Sequence, residues 1–109
     1  MAFQTLEVGL ELVRALRDPL TQLMRVDPKL ADDLRRAARS VPQNIAEGSR
    51  RTGRDRLHHY RSAAGSADET RTALRVAEAL GFLNQSQIEE GIELADRSCA
   101  LLWRLTHPR

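Results

Sequence analysis

Residues 28–48 read PKLADDLRRAARSVPQNIAEG. Leu30, Leu34, Ala37, Ala38, Val41 and Ile45 fall within one narrow sector at ~100° per residue, while Arg35, Arg36 and Arg39 point the other way. Asp27 before Pro28 pairs a good N-cap with a residue suited to the first helical position. Gly48 stands where a left-handed residue would close the last turn. The stretch therefore predicts an amphipathic helix over 28–47 with a bend at Pro42, followed by a short basic turn from Ser49 to Gly53.

The same periodicity extends in both directions. Upstream, Phe3, Leu6, Leu10, Val13, Leu20 and Met24 recur at three- and four-residue steps, and Val8, Leu12, Leu16 and Leu23 widen that face. This predicts a helix over 3–26, kinked at Asp18-Pro19. Downstream, a helix over 54–80 closed by Gly81 is poor in large apolar residues. Leu57, Tyr60 and Leu74 stand among Ala63, Ala64, Gly65, Ser66, Ala67, Ala73 and Ala77, which lets neighbouring backbones approach closely. A last helix over 86–106, capped by Asn84 or Ser86, carries Ile88, Ile92, Ala95, Cys99 and Leu102 on one stripe and Leu94, Leu101 and Leu105 on another. Four helices with short connections predict an all-α, single-domain chain over 1–109, an up-and-down left-handed antiparallel four-helix bundle.

Composition agrees. A chain of 109 residues, 41% hydrophobic and 29% charged, has room for one modest core. Phe3, Tyr60, Phe82 and Trp103 are its only aromatics, so Leu, Ile, Val and Ala must fill that core. Cys99 is the single cysteine, which excludes an internal disulfide and a secreted disulfide scaffold; it reads as a small buried hydrophobe. No basic segment with an apolar run opens the chain, and nothing approaches the ~20 apolar residues of a membrane span. A cytoplasmic protein without membrane partners is the expectation.

Enzyme signatures are missing from the sequence. His58 and His59 are adjacent and so diverge by ~100° on a helix, unlike an i, i+4 metal pair. No Glu-x-x-His pair, glycine-rich phosphate loop or catalytic dyad is present, and Glu89-Glu90 suits the start of a helix. No catalytic residue, metal, cofactor or small-molecule substrate is expected. Polar residues do cluster around the second helix's end, where Asn44, Glu47 and Gly48 face a set of Gly65, Ser66 and Glu69 in the third helix. Across a hairpin these groups are placed to meet, with Glu47 accepting from Ser66 or an arginine. Such a layer fixes hairpin register, the alternative being a ligand site.

Sixteen of the 17 cations are arginine, the side chain that forks onto carboxylates and phosphates. Residues 35–61 hold Arg35, Arg36, Arg39, Arg50, Arg51, Arg54, Arg56 and Arg61 against Glu47 and Asp55, in a chain of net charge +2. One basic end, suited to the phosphate backbone of RNA or DNA, is the expectation. The competing reading is a solvated face in which Asp32 and Asp33 neutralise Arg35 and Arg36. Tyr60 belongs in the core, which leaves no aromatic near the patch for base stacking.

Pro42, Asn44-Ile45-Ala46-Glu47-Gly48, Arg51 and then Gly65-Ser66 with Glu69 resemble the four-helix-bundle proteins encoded by intervening sequences of bacterial 23S rRNA genes. The likeness runs from the first helix to Leu80-Gly81-Phe82-Leu83. It implies a left-handed up-down bundle assembled as a ring-like homopentamer. A more distant similarity is to the accessory protein of diversity-generating retroelements, a more basic pentameric barrel that binds nucleic acid and a reverse transcriptase. The function expected is thus a non-enzymatic homo-oligomeric module for RNA or a ribonucleoprotein. The alternative is a purely structural protein–protein module.

Overall fold

The computed structural model describes residues 1–108. It contains α1 (Ala2–Ala15), α2 (Arg17–Val26), α3 (Pro28–Ser49), α4 (Gly53–Ala79) and α5 (Gln85–Thr106), with no strand among the described residues. The chain is all-α. The four helices expected become five because the first divides at Leu16.

Pro19 explains that division. Lacking an N–H, it leaves the Ala15 carbonyl without its helical donor, and its ring crowds the preceding turn. The break consequently falls upstream of the proline, at Leu16 (φ −93°, ψ 0°), whose N–H turns to Val13 O at 3.2 Å. Pro19 then sits in the first turn of α2, where a missing donor costs nothing, and Asp18 favours the positive end of the helix dipole.

Asp27 caps α3 as expected, its Oδ1 accepting from Leu30 N at 3.0 Å. Pro42 is buried inside α3 without ending it. Gly48, expected as the terminator, lies within the helix, which continues to Ser49 and closes on Arg50 in the right-handed region. Positive φ belongs instead to Gly53 (+58°), in the turn into α4, and to Gly81 (+80°). Gly81 does close the third predicted helix. Its N–H reaches Glu78 O and the Phe82 N–H reaches Ala77 O, both at 2.9 Å, the paired bonds of a Schellman end. Of the two candidate caps for α5, Asn84 is used. Asn84 Oδ1 accepts from Gln87 N at 3.0 Å and Gln87 Oε1 from Asn84 N at 2.8 Å, a reciprocal capping box.

Each helix packs on two neighbours: α3 on α4, α4 on α5, α5 on α1 and α1 on α3, while α2 continues along α3. The body measures 42 × 21 × 19 Å. Gln22 ties α2 to the far turn, donating to Phe82 O at 2.9 Å and accepting from Gln87 Nε2 at 2.7 Å. The core comprises Leu12, Leu16 and Leu23, then Leu34, Val41 and Ile45, then Tyr60 and Leu74, then Ile88, Ala95 and Leu102. On α1 and α2 the core stripe is therefore the one through Leu12, Leu16 and Leu23. The stripe Phe3, Leu6, Leu10, Val13, Leu20 and Met24 stays partly or wholly exposed.

Candidate nucleic-acid interface

Cross-helix contacts fix which residues share a level along the bundle. Between α3 and α4, Ser66 Oγ donates to Ser40 Oγ at 2.8 Å, and His59 Nδ1 lies 3.1 Å from Asn44 Oδ1. Asn44 Nδ2 donates to both Ser40 O (3.0 Å) and Ser40 Oγ (2.9 Å). Asn44 Oδ1 can only accept, so His59 carries its proton on Nδ1. Ser40, Asn44, His59 and Ser66 thus make a polar seam between the two helices.

This seam replaces the layer expected from sequence. Glu47 lies seven residues beyond Ser40, two turns or ~10 Å nearer the hairpin end, out of reach of Ser66. It accepts instead from Arg50 Nη2 (2.8 Å) and Arg51 Nε (3.0 Å), three and four residues further on at the end of its own helix. These two arginines hold the Glu47 carboxyl below the usual carboxylate range, the Arg51 hydrogen bond contributing most. Arg51 also donates to Asp55 Oδ2 at 3.0 Å, joining α3 to α4 through charge. Gly65 is exposed with open space beyond its Cα, and Glu69 is exposed outside the seam. Gly48 is buried, and a Cβ there would meet Tyr60 Cε1 at 2.7 Å. Of the six motif residues, only Asn44 and Ser66 join one network. Ser40 and His59 complete it, and the only sequence clue to them was helical spacing, Ser40 one turn before Asn44 and His59 two turns before Ser66.

The eight arginines do not form one patch either. Fifteen residues of α3 separate Arg35 from Arg50, ~22 Å in a body 42 Å long. Arg35 and Arg36 pair with Asp32 (2.9 Å) and Asp33 (3.3 Å) near the start of α3, and Arg39 lies partway along it. The Asp33 carboxyl is lowered chiefly by its bond to Lys29, with Arg36 adding to the effect. At the opposite end stand Arg50, Arg51, Arg54, Arg56 and Arg61, against Glu47 and Asp55. There Arg56 caps α3, donating from Nε to Gly48 O at 3.1 Å and from Nη2 to Ser49 O at 3.3 Å. Arg39, Arg54 and Arg61 are exposed and take part in no ion pair or hydrogen bond among the described residues. Arg104, in the last turn of α5, adds to the hairpin end an exposed cation that sequence distance concealed and that forms no ion pair among the described residues.

Other chemistry-bearing groups are structural in setting. Arg71 bridges Asp68 and Asp96 from α4 to α5, which raises its already high pKa. Cys99 is half-buried, its Sγ 3.9 Å from Ala64 O, and burial pushes its thiol pKa up despite the opposing pull of Arg71. His58 and His59 meet edge to face with centroids 5.4 Å apart. Among the described residues, no cluster of His, Cys, Asp and Glu is arranged to hold a metal, and no helix is long and apolar enough to cross a membrane.

The chain is thus an all-helical body with a polar seam between α3 and α4 and an arginine-rich hairpin end. The chain belongs to the 23S rRNA-intervening sequence protein family, which it matches over residues 5–104. It is also similar to the crystal structure, at 1.70 Å resolution, of a protein with unknown function from the S23 ribosomal protein family of Bacteroides thetaiotaomicron VPI-5482. That likeness has a TM-score of 0.86 at 18% identity and covers 94% of this chain and 97% of the other, a likeness of fold. No curated protein matches the sequence.

Proposed function

We propose that this chain is a non-enzymatic, homo-oligomeric module that holds RNA or a ribonucleoprotein through phosphate contacts at its hairpin end. The observation that carries this reading is the set of exposed arginines Arg54, Arg61 and Arg104 towards one end of the bundle, which form no ion pair among the described residues. An arginine already forked onto a carboxylate must break that pair before taking a phosphate; these three need not. The family name, which refers to a 23S rRNA intervening sequence, agrees with an RNA-associated role in the cytoplasm. In this reading α1 and α2 act as one kinked member of an up-and-down, left-handed antiparallel four-helix bundle. A cyclic assembly, a pentamer by family resemblance, multiplies weak contacts by repeating the basic end.

Replacing Arg54, Arg61 and Arg104 together with Ala should weaken binding to rRNA fragments regardless of sequence and flatten its salt dependence. Replacing the carboxylate-paired Arg35 and Arg36 should change it little. Absence of wild-type binding at low salt rejects the reading. The second reading, a structural protein–protein module, is favoured by the exposed apolar side chains Phe3, Met24 and Val26 of α1 and α2. It would be left standing by that result.

A further inference from the structure

The contacts between α4 and α5 place an exposed aromatic on the arginine-rich end. Arg71 meets Asp96 and Cys99 Sγ approaches Ala64 O, so the two helices run antiparallel with residue numbers summing to roughly 165. Continuing that register by one turn sets Trp103 opposite Arg61, since Trp103 lies four residues beyond Cys99 and Arg61 three before Ala64. The residues also lie along the facing sides of α4 and α5. Asp96, Cys99 and Trp103 step by three and four along α5, as Arg61, Ala64, Asp68 and Arg71 do along α4, so each set follows one helix face.

Trp103 is 60% exposed, although burying an indole is strongly favourable. Its ring is nevertheless held in place. His107, one turn later, stacks on it at 4.2 Å between centroids and 12° between planes, and His107 Nδ1 lies 2.9 Å from Trp103 O. One indole face is thereby covered and the ring oriented. Arg61, exposed and without an ion pair among the described residues, stands at its level on α4, and the exposed Arg104 follows it directly on α5. A fixed exposed ring beside such charges is the arrangement that takes a stacked base with its phosphates.

We infer that Trp103, stacked on His107 and level with Arg61 on α4, receives an unpaired base of single-stranded nucleic acid. The inference builds on the phosphate-binding role proposed above and narrows its substrate to strands with unstacked bases. Duplex offers the arginines the same phosphates but no free base face. Farther along this α4–α5 face, the Arg71–Asp68–Asp96 group carries one net negative charge, less favourable to a phosphate than the Arg61 level.

Trp103 is the chain's only tryptophan, so its fluorescence reports on this site alone. Titration with oligouridylate should quench the emission, whereas an RNA duplex of equal length should bind without quenching. Trp103→Leu should weaken oligouridylate binding by roughly tenfold or more and leave duplex binding and the salt slope unchanged. Trp103→Phe, which keeps a ring, should recover part of the loss. Salt-dependent oligouridylate binding with no quenching, and no effect of Trp103→Leu, overturns the stacking inference while sparing the phosphate reading. Failure of both strands to bind at low salt rejects the phosphate reading and the inference with it. Emission that follows protein concentration and ignores oligouridylate places a second copy of the chain on Trp103, and also overturns the inference.

Discussion

Gly48 and Gly65 show how much one residue's surroundings matter beyond its identity. Both read from sequence as part of one small-and-polar layer. In the fold, a Cβ on Gly48 would lie 2.7 and 2.8 Å from two ring carbons of Tyr60 and 3.2 Å from His59 Cβ. The Tyr60 ring is only 3% exposed and has no free space to enter. Gly48→Ala should therefore destabilise by about 1–3 kcal/mol through overpacking, seen as a lower urea midpoint at unchanged slope. Gly65 has open space and a helical backbone, so Gly65→Ala should stabilise by up to ~1 kcal/mol. Equal effects at the two sites would show that the Tyr60 contact is absent in solution. The glycine at the end of Asn44–Gly48 was thus legible as special, but its cause, close approach of α4, lies in residues not adjacent in sequence. Glu47 offers a second test. Its pKa is lowered from 4.5 by Arg51 and Arg50, so the folded state gains stability above that value and loses it as pH falls through the lower folded pKa. Thermal melts of Glu47→Gln should fall less steeply below about pH 4.5 than those of the unsubstituted protein. Parallel pH profiles would mean the two arginines do not hold this carboxylate.

Helices 28–47, 54–80 and 86–106 were legible to within two residues at each end, because caps and apolar spacing are local signals. The first helix was less so. Asp18-Pro19 announced a distortion, but a proline acts on the turn before it, and the break lies at Leu16. Its two apolar stripes were likewise visible, whereas which one enters the core depends on where α3 and α5 pack. Asn84 illustrates a signal that sequence narrowed to two residues and geometry resolved. Both halves of its capping box are made, so Asn84→Ala leaves the Gln87 N–H without its side-chain acceptor at an exposed helix end. A loss of about 1 kcal/mol is expected, measured as a lower melting temperature. Ser86→Ala should cost less, since its hydroxyl bonds only to Asn84 Oδ1 at 2.7 Å. If Ser86→Ala proves the more damaging of the two, Asn84 is not the cap.

The basic segment at 35–61 spans a hairpin, and a hairpin arm leads away from its turn. A charge count along the sequence therefore merged Arg35 and Arg36, near one end of the bundle, with Arg50 to Arg61 at the other, and missed Arg104 and Trp103 arriving through α5. The same whole-molecule view bears on assembly. Phe3, at 76% exposure, and Met24 stand open at the two ends of a stripe on α1 and α2 whose middle residues, Leu6, Leu10, Val13 and Leu20, are half-buried, Leu6 and Leu20 against the core. Large apolar side chains left open on one side of the bundle mark an interface more often than a water-facing surface. The total surface is 6587 Å², so two ring contacts of ~800 Å² each would cover about a quarter of it, enough to enclose that stripe. Light scattering should return a mass that is a multiple of 12.3 kDa and independent of micromolar dilution. Phe3→Glu and Met24→Glu alter side chains exposed in the single subunit, so together they should leave helix content intact and lower the assembled mass. A stable 12.3 kDa particle in the unsubstituted protein would remove the ring, and with it the multiplication of weak phosphate contacts.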